Sequence, residues 1–489
     1  MTAKVIMPAP DFYLVAPLAG VGSTSPRATD MRTPETARPL GHLHGQQQDL
    51  FNDAGRSGAV SPLIDAHSLR RGDVDSANLL STPATANTPG TRTSTTATRT
   101  TGTRTTSFRR SWSADKNPST HGTRHADFSL ANVTQAYLDC RRHKRSSASA
   151  RAFEQQQEAN LAALSESLQD GSYTPGRSIC FVVTRPKPRE VWCSPFADRI
   201  GHHVLYNHVA PRFHAGFIAD SCACIPGRGT LYAARRLESK VRSITQNWSR
   251  PAFYLKCDLA NFFVSIDKRI LRERLASKIT EPWLMELADT ILFHDPRTNV
   301  QMQSHPQRMA LVPAHKSLLN QSADFGLPIG NLSSQFFANV YLDALDQYVK
   351  HQLRARHYIR YVDDFLILDE SPQRLNAILE DLTGWLPRTL GVRLNPAKTI
   401  LQPIERGIDF VGQVIKPWRR TLRRRTLNVA LARLAKISQE DIHTTANSYF
   451  GLMRQTTHSH HDRALVANVA RRRGFTVDAT LTKIYRRPT

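Results

Sequence analysis

Apolar positions divide this chain into a part with a readable period and a part without one. Beyond about Asp127, Tyr137, Leu138, Phe153, Leu161, Leu164 and Leu168 recur at helical intervals, which predicts a helical lead-in. Residues 171–175 break it. A short apolar run over 180–184 reads as a strand ending in the turn Arg185-Pro186-Lys187-Pro188-Arg189. Residues 200–217 read as a helix, and Pro226-Gly227-Arg228-Gly229 as a loop. The stretch 253–259 alternates like a strand and 268–292 is helical. Residues 293–325, polar with scattered prolines, read as an insertion or long loop. Phe337, Val340, Tyr341, Leu345 and Tyr348 put an apolar stripe on a helix over 336–349. A hairpin interrupted by acids covers 358–368, followed by a helix over 375–386 and strands near Leu394 and over 408–415. A basic helical stretch runs from Leu427 to about Arg473. Strands and helices mixed without strict alternation predict an α+β core.

Residues 1–125 show no such period. Threonine dominates 82–106, with Arg92, Arg99 and Arg104 and no acid. A segment of this kind buries too little to offset its ordering entropy, so disorder is expected. It reads as a solvated tail or an extension upstream of the true start, with a non-specific RNA-binding arm as the functional alternative. A folded α+β unit is expected over 126–425, and a helical basic unit over 426–489.

Charge changes the picture. Sixty-five Lys and Arg against 41 Asp and Glu leave +24, a surplus that points to a polyanionic partner. Basic residues are dense inside the patterned part too, at 141–145 and 419–425. The six cysteines lack the paired spacing of a zinc site or a disulfide framework. No apolar run approaches the ~18 residues needed to cross a bilayer, and no secretory signal is visible. A cytoplasmic setting without membrane attachment is expected.

Three aspartates carry the chemistry. Asp258 ends the apolar strand Tyr254-Leu255-Lys256-Cys257-Asp258. Asp363 and Asp364 interrupt a hairpin with apolar flanks on both sides. Adjacent carboxylates at such a tip repel one another and are costly without a cation. Mg²⁺ suits the place, because it takes a few carboxylates and completes its shell with substrate phosphates. Two ions about 4 Å apart can activate a 3′-hydroxyl and stabilise leaving pyrophosphate; Mn²⁺ is a possible substitute.

At this point the motifs resemble the reverse transcriptases. Tyr361-Val362-Asp363-Asp364 between apolar strands looks like that family's signature, and Asp258-Leu259-Ala260-Asn261-Phe262-Phe263 like its first catalytic block. The run Gly326-Leu327-Pro328-Ile329-Gly330-Asn331-Leu332-Ser333-Ser334-Gln335 resembles the template- and nucleotide-positioning block. Asn395-Pro396-Ala397-Lys398-Thr399 resembles the lysine block, and Gly407-Ile408-Asp409-Phe410-Val411-Gly412 the primer grip. Within the family, Ile329 and the Ser-Gln ending at Gln335 are similar to bacterial enzymes of diversity-generating retroelements and group II introns rather than retroviral ones. Related bacterial enzymes serve in phage defence.

The resemblance implies a right-hand polymerase with fingers, palm and a short helical thumb, an RNA template, a DNA or RNA primer and deoxynucleotides. A dedicated non-coding RNA or an accessory protein stays open as a further partner. It implies metal binding by Asp258, Leu259, Asp363 and Asp364, and general acid work by Lys398. Lys187 and Arg189 would grip the triphosphate, with Ile329, Gly330 and Gln335 beside it. Phe263 would exclude a 2′-hydroxyl while Phe262 packs the core. Phe410 and Gly412 would hold the primer, and Arg228, Arg419 and Arg423 would meet nucleic acid. An RNA-directed RNA polymerase and a non-catalytic RNA-binding splicing cofactor are the rival readings. Untemplated or protein-primed synthesis also stays open.

Overall fold

The computed structural model describes residues 124–142, 147–184 and 187–486. The threonine-rich tract, and with it the expected disorder over 1–125, lies outside the described residues except for the last two positions. Three helices open the described chain: α1 (Leu130–Arg141), α2 (Ala148–Glu154) and α3 (Gln157–Asp170). Val133, Tyr137 and Cys140 of α1 and Leu161, Leu164 and Leu168 of α3 turn inward, as helical spacing demands. Leu138, expected in that stripe, is 51% exposed. One residue beyond Tyr137 is a rotation of about 100°, which carries it off the buried face.

β1 (Ser178–Val183) and β2 (Arg189–Cys193) then form an antiparallel hairpin, followed by α4 (Phe196–His214) and α5 (Thr230–Ile244). The sequence reading assigns nothing to 230–244. Its helix signal is the apolar set Ala233, Ala234, Leu237 and Val241, all buried. Next come β3 (Phe253–Asp258), α6 (Lys268–Ala276), α7 (Pro282–Phe293) and β4 (Val300–Met302). After them lie α8 (Leu332–Gln347), β5 (His357–Tyr361), β6 (Asp364–Asp369), α9 (Pro372–Leu390) and β7 (Ile400–Pro403). The chain continues through β8 (Ile408–Phe410), β9 (Gln413–Lys416) and β10 (Arg419–Leu422). It ends with α10 (Arg424–Lys436), α11 (Gln439–Met453), α12 (His460–Arg472), β11 (Phe475–Val477) and β12 (Ile484–Arg486).

Three expectations need correction. The segment 293–325 is not a plain loop, because β4 pairs in parallel with β1. The buried Glu190 carboxylate of β2 accepts from the Ser317 hydroxyl and, at 2.9 Å, from Leu318 N. A three-residue strand is too short to alternate, and its anchor is a carboxylate, so neither leaves an apolar signal. No strand forms at Leu394, which makes only an isolated bridge to Leu259. Residues 408–415 are two strands, paired through Phe410 and Gln413 around a two-residue turn. Val411 (φ +44°) and Gly412 (φ +84°) are both left-handed there, the primed turn geometry that suits strand twist.

A four-stranded antiparallel sheet, ordered β5-β6-β3-β7, forms the centre. Alternation sorts its side chains between two cores. Leu255, Cys257, Tyr358, Phe365 and Ile367 pack on one side with residues of α4, α8 and α9. Tyr254, Ile359, Tyr361, Leu366 and Leu368 pack on the other with α5 and the β8–β9 hairpin. A third core, from Leu422 to Ile484, belongs to the C-terminal helices and the β11–β12 hairpin. The smaller sheet β2-β1-β4 stands apart. This is the mixed helix-and-sheet, α+β organisation that the patterning predicts.

The first core contains a charge pair. Arg360 of β5 is 1% exposed and Asp346 of α8 not at all. The guanidinium grips the carboxylate in two places, Nε to Oδ1 at 2.7 Å and Nη2 to Oδ2 at 2.6 Å. Tyr358 adds a hydroxyl to Oδ1 at 2.7 Å. Removing one partner would strand the other charge in the interior. Asp346→Ala is therefore expected to lower unfolding free energy by about 3–5 kcal/mol, measured by urea denaturation. A loss below about 1 kcal/mol would show that the guanidinium finds water or another partner.

Candidate active site

Strand register brings the aspartates to one place. β3 and β6 are antiparallel neighbours, and Asp258 stands directly opposite Asp364. By alternation both project to the face occupied by the β8–β9 hairpin, the side that Tyr254, Leu366 and Leu368 fill further along. Asp363 sits in the β5–β6 turn, where its carbonyl accepts from Leu259 N at 3.2 Å. The preceding residue, Val362, has φ +56°, a conformation that a β-branched side chain rarely adopts. Arg360 supports it, donating from Nη1 to Val362 O at 3.1 Å and to Asn339 Oδ1 at 3.2 Å. Its Nη2 also reaches Ser221 Oγ at 2.8 Å.

Two lysines offset the acids. Lys398 Nζ lies 2.9 Å from Asp258 Oδ2, with Asn395 Nδ2 donating to the same oxygen at 3.4 Å. Lys256, two residues before Asp258 on the same face of β3, reaches Asp364 Oδ2 at 3.1 Å and Asp409 O at 2.9 Å. Burial, and after it the Asp258 charge, push the Asp363 carboxyl up to about 7. Burial raises Asp364 as well, while Lys256 pulls it the other way.

Among the described residues, no group of three or more His, Cys, Asp or Glu side chains is gathered so as to hold a metal alone. The donor set still fits a cation that completes its shell from substrate. Asp364 Oδ1 is buried without a hydrogen-bond partner, and an orphaned carboxylate oxygen of that kind is costly unless a cation meets it.

The remaining expected residues are distributed around this cluster. Phe262 is buried and Phe263 partly so, their rings meeting edge to face at 5.5 Å. The Phe263 carbonyl accepts from Leu327 N at 2.8 Å, so the glycine-rich segment runs beside it. Ile329 O accepts from Trp192 N at 2.7 Å. At Gly330 (φ +134°) a Cβ would come within 2.5 Å of Trp192 O, so only glycine lets the segment lie against β2. Gln335 sits half-buried in the first turn of α8. Lys187 and Arg189 are at the β1–β2 turn, on a different sheet from the aspartates. Phe410 is buried with its ring edge to face with Tyr361 at 6.5 Å.

Two basic residues differ from expectation. Arg228 turns inward and donates to Ile218 O at 2.6 Å and Ser221 O at 2.8 Å, so it caps its own loop. Arg423 is 8% exposed and pairs with Asp409. Both guanidiniums are engaged by the protein, whereas Arg419 is exposed. The sequence reading missed Lys256, Asn395 and Arg360 as site residues. Lys256 had a signal: a lysine in an apolar strand, two places from Asp258, must share that acid's face.

The reverse transcriptase (RNA-dependent DNA polymerase) family matches residues 187–415. Protein YkfC of Escherichia coli K12 is 23% identical over 328 residues, which is 60% of this chain and 79% of YkfC. A Candida albicans telomerase structure, in complex with a fragment of telomeric RNA, aligns over 61% of this chain with a TM-score of 0.38 and 12% identity. A Candida tropicalis telomerase lacking its C-terminal domain aligns over 53%, with a TM-score of 0.36 and 12% identity. The chain spans 54% and 59% of those two telomerase chains. The matched segment holds all three aspartates, Lys398 and the glycine-rich run: residues 187–415 are similar to the reverse transcriptase domain, which is of the nucleotidyltransferase polymerase type.

Proposed function

We propose that the chain is an RNA-directed DNA polymerase that copies an RNA template into cDNA by two-metal nucleotidyl transfer. The reading rests on Asp258 facing Asp364 across two strands, with Asp363 at the turn beside them and an orphaned oxygen on Asp364. Asp258, Asp363 and Asp364, with the Leu259 main chain, would hold Mg²⁺. Bound there, the ions lower the pKa of the primer 3′-hydroxyl and neutralise charge on the triphosphate. Lys398 carries a proton on Nζ, and near the leaving group it is placed for general acid work. It now sits on Asp258 Oδ2 and would exchange that partner for pyrophosphate. Lys187, Arg189, Ile329, Gly330 and Gln335 line the nucleotide's approach; Phe410 and Gly412 are buried and would act on the primer only by shaping the β8–β9 turn. A bacterial retroelement or a phage-defence system is the proposed setting.

Asp363→Ala is expected to abolish extension of a primed RNA template. A loss of about a thousandfold or more corresponds to roughly 4 kcal/mol of transition-state stabilisation. Melting temperature without metal should not fall, because one of three clustered like charges is gone. Full extension by that variant would sink the assignment.

Sugar choice tests the pocket. Phe263→Ala opens space beside the expected sugar without touching an acid, so ribonucleotide use should rise about tenfold or more. Each tenfold is worth about 1.4 kcal/mol. Deoxynucleotide use should fall less, since only packing against Phe262 is lost. Single-nucleotide extension with matched dNTP and NTP gives the ratio of kcat/KM values. An unchanged ratio would make Phe263 a packing residue and favour an RNA polymerase.

A further inference from the structure

The β9–β10 hairpin carries at its tip a tryptophan that belongs to none of the buried clusters. Trp418 is 59% exposed, more than any other large hydrophobic residue among those described. It occupies a position with φ +61°, where glycine or asparagine is the unstrained choice and a bulky ring is an outlier. A single exposed apolar residue is ordinary. One kept at a strained position on a fixed support calls for a use.

The support is fixed from two directions. Lys416 pairs with Arg419 and Ile415 with Arg420 across the hairpin. Arg420 Nε lies 2.9 Å from Glu238 of α5, and its Nη1 donates to Gln413 Oε1 at 3.1 Å and Gln455 O at 2.8 Å. Thr457 holds the Arg420 main chain from both sides, accepting from its N at 2.8 Å and donating to its O at 3.0 Å. Glu238 also binds Arg242 at 3.2 Å, and the Arg242 guanidinium lies over the Trp418 ring, 6.0 Å from its centroid.

The surroundings are cationic. Lys416, Arg419 and Arg242 flank the ring, and the nearby Glu238 is already shared by two arginines. An exposed aromatic ring next to Lys416 and Arg419, with the Glu238-paired Arg242 over one face, suits an anion that carries its own flat ring. We propose that Trp418 is a stacking platform for an unpaired nucleobase, with Lys416 and Arg419 meeting the adjoining phosphates. Stacking of this kind tolerates any base and needs a strand that is not already paired. The ligand is thus single-stranded nucleic acid leaving or approaching the active site, and a blunt duplex has no free base face to offer along its length. The proposal rests on the polymerase reading only for the presence of nucleic acid.

The test uses the full-length chain without divalent metal or nucleotides, so that no synthesis occurs. Labelled 12-nucleotide single-stranded RNA, single-stranded DNA and a blunt duplex are titrated against the native protein, Trp418→Ala and Trp418→Phe. The alanine variant is expected to lose about tenfold in affinity for at least one single strand, which is ~1.4 kcal/mol. Duplex affinity should be unchanged, and phenylalanine should restore binding to within about threefold of native. Whichever strand type loses more identifies the strand that passes over the ring. Tryptophan fluorescence should be quenched by that oligonucleotide in the native protein and much less so in Trp418→Phe. Native affinity in the alanine variant, equal loss for single strand and duplex, or no rescue by phenylalanine would each overturn the proposal. Normal quenching without primer extension in metal would overturn the polymerase reading and leave this one standing.

Discussion

A guanidinium in a dry interior needs acceptors for nearly all of its donors, and Arg360 obtains them from three different parts of the chain. Asp346 and Asn339 come from α8, Ser221 from the segment after α4, and Val362 from the β5–β6 turn. The Arg360 main chain adds two more links, donating to Asp220 O at 2.9 Å and accepting from Cys222 N at 3.0 Å. An ion pair of this sort adds little net stability compared with well-packed hydrophobic residues. Its contribution is geometric. One planar group with a fixed fork fixes where the β5–β6 turn lies relative to α8, and the turn carries Asp363. The left-handed Val362 persists because its carbonyl has that donor waiting.

Charge on the opposite face of the same sheet follows another logic. Asp258 and Asp364 are held at one end of β3 and β6 by strand pairing, which takes no account of their repulsion. The offset comes from lysines on two separate elements. Lys398 reaches Asp258 from the short turn after Leu394, and Lys256 reaches Asp364 from within β3 itself. The two differ in exposure. The Lys398 side chain is 38% exposed, whereas that of Lys256 is 16% exposed and also donates to Asp409 O. An outer and an inner cation therefore face the same acids from different sides.

Legibility in the sequence tracked the kind of interaction responsible. Strands β3, β5 and β6 were readable because alternation and an abrupt pair of acids are local signals. Helix α5 was missed although its apolar stripe is regular, since its charged residues dominate the window. β4 and the β11–β12 hairpin are three-residue strands, shorter than any periodicity can register. At the candidate site the aspartates, Lys398 and the Phe262–Phe263 division were visible as motif positions. Arg423 looked like a nucleic-acid contact because arginine in a basic run looks solvated, and Arg228 because a glycine loop shows no partner for it. Their partners, two carbonyls and Asp409, are supplied by distant or irregular backbone that no pattern announces. Arg360 was invisible for the same reason: its partners are spread over 140 residues of chain.

The joint between the C-terminal helices and the central sheet is polar where the cores on either side are apolar. Leu422 through Ile484 close on themselves. Besides the β9–β10 strand pairing, side-chain links across the joint include Arg423 with Asp409, Arg420 with Glu238, and Thr230 Oγ1 with Gln455 Oε1 at 3.3 Å. Apolar faces adhere over a range of registers, whereas hydrogen-bonded ion pairs hold only one, and lose it when a partner moves. Asp409 shows what that arrangement achieves. Its carboxylate binds Arg423 at the start of the C-terminal helices, while its carbonyl binds Lys256, which binds Asp364. A single residue beside the Phe410–Gly412 turn therefore connects the base of the helical unit to a candidate metal ligand. A nucleic acid that shifted that unit would act on the acid through three polar contacts rather than through a repacked core.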